Sequence, residues 1–327
     1  MPEDRKIDFL VIGAPKAGTT SLFEYLRTHP ELHLPRFKET NFFLDHTYGR
    51  GVDWYFDWIL AGSSPGLVNG EVSVRYMAGT SRSEDAAEKA ETFPGEAGLD
   101  PGQVVPSRIH AALPQVKLIA MLRDPVGRCV SEYGMATLRG AETRGLDEAV
   151  TELLRPEQLA KARACFSATD PYVVQGEYGR ILAPYFELFP PEDIMVLYTK
   201  ELAEDAADVM RRIFGFVGVA EDFTPPNLGE RYLEQAAKPR SRALNIPRLT
   251  RSLRQREGLL STWERIPIGV RQRLWTMVFF VEKWNRSSPE GKPAPTLSPE
   301  VESALRAHFA PDRERLAALT GSEPPWH

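Results

Sequence analysis

The segment Gly13-Ala14-Pro15-Lys16-Ala17-Gly18-Thr19-Thr20-Ser21 joins an apolar run, Phe9 to Ile12, to a stretch with Leu22, Tyr25 and Leu26 at helical spacing. A strand that turns directly into a helix leaves the first N–H groups of the helix without intrahelical acceptors. With the helix dipole behind them, those groups form a cradle for an anion. Lys16 places a long-armed cation inside it. A second cluster, Arg123-Asp124-Pro125-Val126-Gly127-Arg128-Cys129-Val130-Ser131, follows another apolar run, Val116 to Leu122. Asp124 is placed to cap a helix whose first residue is Pro125, where a missing N–H costs nothing. That leaves Arg123 at the strand end and Ser131 about two turns into the helix, and a guanidinium and a hydroxyl so placed can grip one phosphate. Lys238-Pro239-Arg240-Ser241-Arg242 is a third basic run, readable as a further anion contact or as a solvated charged turn.

Gly13 to Gly18 has the spacing of the nucleotide phosphate loop G-x-x-x-x-G-K-[ST], but Thr19 stands where that motif needs its lysine. In that motif the lysine reaches the outer phosphates of a triphosphate, and the Ser or Thr after it holds magnesium. Lys16 would instead lie over a phosphate held nearer the loop. P-K-A-G-T-T-S resembles the 5′-phosphosulfate loop of sulfotransferases, which share a P-loop-like fold, take 3′-phosphoadenylyl sulfate as donor and use no metal. Arg123 to Ser131 resembles the 3′-phosphate motif of the same family, R-x-P-x-x-R-x-x-S. The resemblance assigns Lys16, Ala17, Gly18, Thr19, Thr20 and Ser21 to the 5′ side, and Arg123 and Ser131 to the 3′-phosphate. It further implies that a late basic loop, here Lys238, Arg240 and Ser241, closes over the nucleotide. Arg128 reads equally well as a surface salt bridge.

Lys38-Glu39-Thr40-Asn41-Phe42-Phe43-Leu44-Asp45 and Gly51-Val52-Asp53-Trp54-Tyr55 are similar to the K-E-x-H-F-F-D and G-x-x-W-Y segments of glycosaminoglycan-type sulfotransferases. The resemblance makes Glu39 the general base, with His46 as a rival, whereas the residues alone allow a surface charge paired with Lys38. Asn41 departs from the histidine of those relatives and leaves the acceptor type open. Gly70-Glu71-Val72-Ser73-Val74-Arg75-Tyr76 resembles G-E-x-S-P-x-Y, with Val74 for proline. Glu71 and Arg75 are candidates to bind a polar acceptor, or else pair with each other, and Tyr178 is a further candidate to face the acceptor cleft. Trp54, Tyr55, Phe56 and Trp58 read as packing aromatics. The mechanism implied is in-line displacement. Glu39 takes the proton of an acceptor hydroxyl or amine, Lys16 and the loop N–H groups neutralise the leaving phosphate, and adenosine 3′,5′-bisphosphate departs. The alternatives are a magnesium-dependent P-loop kinase and an inactive nucleotide-binding protein.

Four apolar runs read as buried parallel strands: Phe9 to Ile12, Leu67 to Val68 leading into Glu71, Val116 to Leu122, and Ile194 to Tyr198. Helical stripes separate them, as at Val130, Tyr133 and Leu138, at Ile181, Leu182, Tyr185 and Phe189, and at Val209, Met210, Ile213, Phe214 and Val217. The fold class expected is α/β, a P-loop-like three-layer arrangement with a central parallel sheet flanked by helices, in a single domain over 1–327. Residues 79–105, rich in Ser, Glu, Ala, Gly and Pro, read as a mobile insertion, and the chain from about 243 reads as helical. The last helix begins at Pro299 with Ser298 as its cap and ends near Leu319.

Of 327 residues, 26% are charged and the net charge is −5, which argues against a general nucleic-acid or membrane-surface binder. An anionic ligand therefore needs a local cluster of cations. Two cysteines, Cys129 and Cys165, are too few for a disulfide framework and read as idle thiols. No apolar stretch reaches the length of a membrane span and the first residues do not fit an export signal, so a cytoplasmic protein acting on a small-molecule or carbohydrate acceptor is expected.

Overall fold

Phe9–Gly13 forms strand β1, buried along its whole length, because five successive residues without charge can be covered on both faces of a parallel sheet. The structure, a computed structural model, describes residues 5–78, 96, 98–138, 140–164, 171–230, 232 and 295–326. Among these residues the sheet has five strands in the order β2-β3-β1-β4-β5, all parallel. The others are β2 (Leu32–His33), β3 (Val68–Val72), β4 (Lys117–Leu122) and β5 (Ile194–Tyr198). The chain leaves β1 toward β2 and β3 on one side, while β4 leads to β5 on the other. Connections therefore diverge between β1 and β4, which makes the carboxyl ends of these strands, the β1/β4 crevice, the usual ligand position on such a sheet.

The four strands expected from apolar runs are all present, and β2 is the addition. Its two residues are too few to show a period, and β2 is held at the edge by pairing Leu32 with Val68 and His33 with Asn69. The register of β3 on β1 sets Gly70 opposite Phe9. A Cβ on Gly70 would fall 2.1 Å from the Phe9 ring, so this close approach requires glycine.

Helices cover the sheet. Early in the chain come α1 (Thr19–Leu26), α2 (Asp45–Tyr48) and α3 (Val52–Ile59), and a 3₁₀ turn over Val74–Ala78 follows β3. The middle contributes α4 (Pro101–Ala112), α5 (Pro125–Leu138), α6 (Leu146–Leu153), α7 (Pro156–Ala164), α8 (Pro171–Val174) and α9 (Tyr178–Leu188). After β5 come α10 (Thr199–Glu204), α11 (Ala206–Val217) and α12 (Pro299–Thr320). The Ser298 side chain accepts from the Val301 N–H, capping α12 where the sequence places the cap. No helix among the described residues is long and apolar enough to cross a membrane.

One expectation is corrected. Residues 101–105, read as part of an insertion, open helix α4, and Val104 and Val105 are buried in the core. Two prolines and a glycine disguise this helix. Pro101 occupies its first position, and Asp100 and Gln103 cap each other's backbone in a reciprocal box that offsets the weak propensity. The chain divides into two compact units, Met1–Tyr232 with Ala294–His327 and, separately, Leu233–Pro293. The second unit lies outside the described residues, as do residues 79–95.

Candidate active site

The loop after β1 is tied to two other strand ends. Ala14 N–H donates to the Met121 carbonyl on β4 (2.6 Å), and the Thr199 hydroxyl lies within hydrogen-bond distance of the carbonyls of Ala17 (2.8 Å) and Leu122 (3.0 Å). Lys16 and Gly18 both adopt left-handed backbone, with φ of 69° and 88°. That sharp turn brings the chain into α1, which lacks a side-chain cap at its N-terminus. The first helical N–H groups, those of Thr19, Thr20 and Ser21, have no acceptor within α1 and surround the loop. No acidic residue occurs from Gly13 to Ser21, so dipole, N–H groups and Lys16 all favour an anion. Ala17 and Thr19 are buried and Thr20 is half-buried, whereas the Ser21 hydroxyl is taken by the Tyr232 N–H at 3.1 Å.

The second motif meets the first. Asp124 caps α5 by accepting from the Gly127 N–H (3.1 Å), and Arg123, released at the end of β4, donates from Nη1 to the Lys16 carbonyl at 3.3 Å. The two phosphate-type motifs, about a hundred residues apart in sequence, thus share one hydrogen bond across the β1/β4 crevice. Ser131 is half-buried on α5. Tyr178 is corrected from a cleft-lining residue to a support: its side chain is buried, and its hydroxyl donates to the Arg123 carbonyl at 2.9 Å. Burial lifts that phenol above its ordinary range, so it remains a donor.

Arg128 is also corrected, because it is fully buried and no surface pair. Its guanidinium bridges Glu132 and the Tyr172 carbonyl, locking α5 to α8. Next to it, burial pushes the Cys129 thiol up to about 12, which leaves it an inert packing group. Cys165, Lys238, Arg240 and Ser241 lie outside the described residues, as does the side chain of His46.

On the β3 side of the crevice, Glu39 has φ of 71° and its N–H donates to the Val72 carbonyl at the strand end (2.8 Å). Its carboxylate is 27% exposed and pairs with Lys38 at 3.1 Å, so the ion pair is real and the group still reaches solvent. Asn41, φ 53°, donates from its N–H to Ser73 Oγ (3.2 Å) and from Nδ2 to the Glu39 carbonyl (3.2 Å). Arg75 is exposed just beyond.

Glu71 differs from its expectation as an acceptor ligand or partner of Arg75. It is 0% exposed and lies beneath the site. Its Oε1 accepts from the hydroxyls of Thr40, Ser73 and Tyr76, and its Oε2 from those of Tyr55 and Tyr76. Burial raises its pKa while the four hydroxyls pull the other way. The Tyr55 and Tyr76 phenols are driven well above their usual range, first by burial and then by the neighbouring carboxylate. Tyr55 therefore does more than pack, and Thr199 and Thr40 are site residues that sequence reasoning missed. Ser73 and Tyr76 had a signal in the Gly70 to Tyr76 segment, but Thr199 had none beyond its place at a strand end.

The parallel sheet thus carries a cradle suited to an anion at its switch point, joined to a second cation on the neighbouring strand. Residues 6–259 match the profile of the sulfotransferase domain family, and the chain belongs to that family. Over 216 residues, 64% of this chain, it is 28% identical to the bifunctional heparan sulfate N-deacetylase/N-sulfotransferase of Drosophila melanogaster, of which the match covers 19%. Over 215 residues, 66% of this chain, it is 26% identical to the heparan sulfate glucosamine 3-O-sulfotransferase 3B1 of Mus musculus, of which 47% is covered. The matches thus span less than half the length of each of these relatives. The crystal structure of a sulfotransferase from Alicyclobacillus acidocaldarius shares the fold, with a TM-score of 0.61 at 23% identity, covering 98% of this chain and 97% of that one.

Proposed function

We propose that the protein transfers a sulfuryl group from 3′-phosphoadenylyl sulfate to a hydroxyl or amine of a carbohydrate acceptor. The observation that carries this reading is the Arg123 to Lys16 hydrogen bond, which sets two anion-binding motifs side by side at the β1/β4 crevice. A donor with phosphate at both 3′ and 5′ positions needs two such grips, and the residues present fit it. Lys16 and the N–H groups of Thr19, Thr20 and Ser21 would hold the 5′ side, and Arg123 with Ser131 the 3′-phosphate. When bound, the donor supplies an activated sulfuryl group whose leaving phosphate gains negative charge. Lys16 and the helix dipole are placed to stabilise that charge.

Glu39, tied by its N–H to the end of β3, is read as the carboxylate that takes the acceptor proton. Its exposure leaves it within reach of an acceptor entering from solvent. The carbohydrate reading is supported by the names of the relatives, which act on heparan sulfate or its glucosamine.

The test is transfer of label from [³⁵S]3′-phosphoadenylyl sulfate to N-acetylated and N-deacetylated heparosan in the presence of EDTA. Labelled polysaccharide that disappears in Lys16→Ala is the expected result. No transfer to these or to simple alcohols, together with magnesium-dependent phosphorylation from ATP, would overturn it.

A further inference from the structure

The buried carboxylate of Glu71 has no role in the transfer as described, yet it is the most elaborately satisfied side chain near the site. Among the described residues no lysine or arginine pairs with it. A buried carboxylate held only by neutral hydroxyls is costly to keep, and an apolar residue at this point of β3 would pack without that cost. What its partners do explains its presence.

Each of the donors on Glu71 also grips the chain that carries Glu39. Thr40 is the next residue, and its hydroxyl accepts from the Phe42 N–H at 3.3 Å. The Tyr76 hydroxyl accepts from the same N–H at 3.0 Å. Ser73 Oγ accepts from the Asn41 N–H at 3.2 Å. Tyr55 stacks on the Phe42 ring, centroids 4.5 Å apart and planes within 10°. Because each hydroxyl has one proton, pointing it at Glu71 leaves its oxygen lone pairs for the backbone N–H groups. The carboxylate therefore orients the whole set, and an amide in its place would set one donor against another.

That set works against strain. Glu39 and Asn41 both lie in the left-handed region, unusual for residues with side chains, and such conformations persist where surrounding contacts over-determine them.

We propose that Glu71 is a positioning residue for sulfuryl transfer, its buried carboxylate orienting the hydroxyls of Thr40, Ser73 and Tyr76 so that residues 39–42 hold Glu39 toward the acceptor. The proposal rests on the reading of Glu39 as the base. It concerns alignment and leaves the donor site, formed by other elements, untouched.

The experiment compares Glu71→Gln and Thr40→Val, with Thr40→Ser as the variant that keeps the hydroxyl, at a temperature well below unfolding. Backbone amide exchange is read at Asn41 and Phe42, alongside turnover and adenosine 3′,5′-bisphosphate affinity. Glu71→Gln and Thr40→Val are expected to speed exchange at these amides at least about tenfold. They should lower kcat by about ten- to a hundredfold, the scale of a small misplacement of a reacting group, while bisphosphate affinity stays within about twofold. Thr40→Ser should restore both exchange and turnover. If Glu71→Gln does not fold, the Thr40 pair carries the test alone. Exchange at 39–42 unchanged in a folded variant would overturn the proposal, as would kcat unchanged despite faster exchange, the outcome of a merely structural role. Failure of the wild type to bind the bisphosphate or to transfer sulfate would instead defeat the proposed function, and amide exchange would still report on the positioning of the loop.

Discussion

Two glutamates are buried near the site, and the two are satisfied in opposite ways. Glu71, under the acceptor side, is 0% exposed and receives only hydroxyls. Glu177, just before the helix that supports Arg123, is 3% exposed and is surrounded by basic side chains: Arg163 grips both its oxygens, and Arg180 and His308 add one contact each. Burial pushes the pKa of Glu71 up. For Glu177 burial acts in the same direction, but His308, Arg163 and Arg180 together outweigh it and hold the carboxyl at about 2. Glu177 precedes Tyr178, whose hydroxyl holds the Arg123 carbonyl, so the ionic cluster anchors the helix that supports the donor grip. The contrast teaches a division of labour. On the proposed reading, the anion site is braced by charge, whereas the loop that carries Glu39 is braced by neutral donors that add no competing cation.

The largest expected effects fall on the groups proposed to touch the reaction. Lys16→Ala and Glu39→Gln should each reduce turnover by at least about 100-fold, measured with labelled donor. Lys16→Ala should also weaken bisphosphate binding, whereas Glu39→Gln should not. Full activity in Glu39→Gln would remove the base from the acceptor side and put His46 in its place.

Next comes Glu177. Replacing it by glutamine leaves Arg163 and Arg180 without their counter-charge and should cost about 3 kcal/mol of stability by thermal or denaturant unfolding. The acid dependence follows from the sign of the shift. With a folded value of about 2 against an ordinary 4.5, the stabilisation is complete above about pH 5 and is lost as the pH falls toward 2. Glu71 runs the other way, its burial being best tolerated when protonated at low pH and opposing stability as the pH rises. In Glu177→Gln the loss of stability between pH 5 and 2 should therefore be shallower than in the wild type. An unchanged acid profile would break the comparison.

A smaller effect, about ten- to fiftyfold in bisphosphate affinity, is expected for Arg123→Ala, the loss of charge-assisted hydrogen bonds to one phosphate. Smallest is Tyr55→Phe, which removes one of the hydroxyls on Glu71. It should cost about 1–2 kcal/mol in stability with no change in bisphosphate affinity. A large effect on affinity would mean that the two sides are not separately braced.

The same contrast explains what the sequence made legible. Donor-side features are local: a strand running into a helix through Gly13 to Ser21, and Asp124 with Pro125 opening another helix, can be read within a few residues. Four of the five strands follow from apolar runs, whereas the two-residue β2 has no period to read and the order of the strands is set by tertiary contacts. The acceptor side is built from Thr40, Tyr55, Glu71, Ser73 and Tyr76, which converge on one carboxylate from three separate segments. Nothing in their spacing announces that convergence, so Glu71 reads as a ligand and Tyr55 as packing. Arg128 fails in the same way. Five residues after Arg123 and identical in type, it turns inward to Glu132 and the Tyr172 carbonyl, a choice set by tertiary contacts.

The most direct test of the central claim is calorimetric titration of adenosine 3′,5′-bisphosphate into the metal-free protein, with ATP plus magnesium in parallel and Arg123→Ala as control. Micromolar binding of the bisphosphate, weakened in Arg123→Ala, is the result expected of two joined phosphate grips. Clear binding of magnesium-ATP with none of the bisphosphate would contradict the account and favour a kinase.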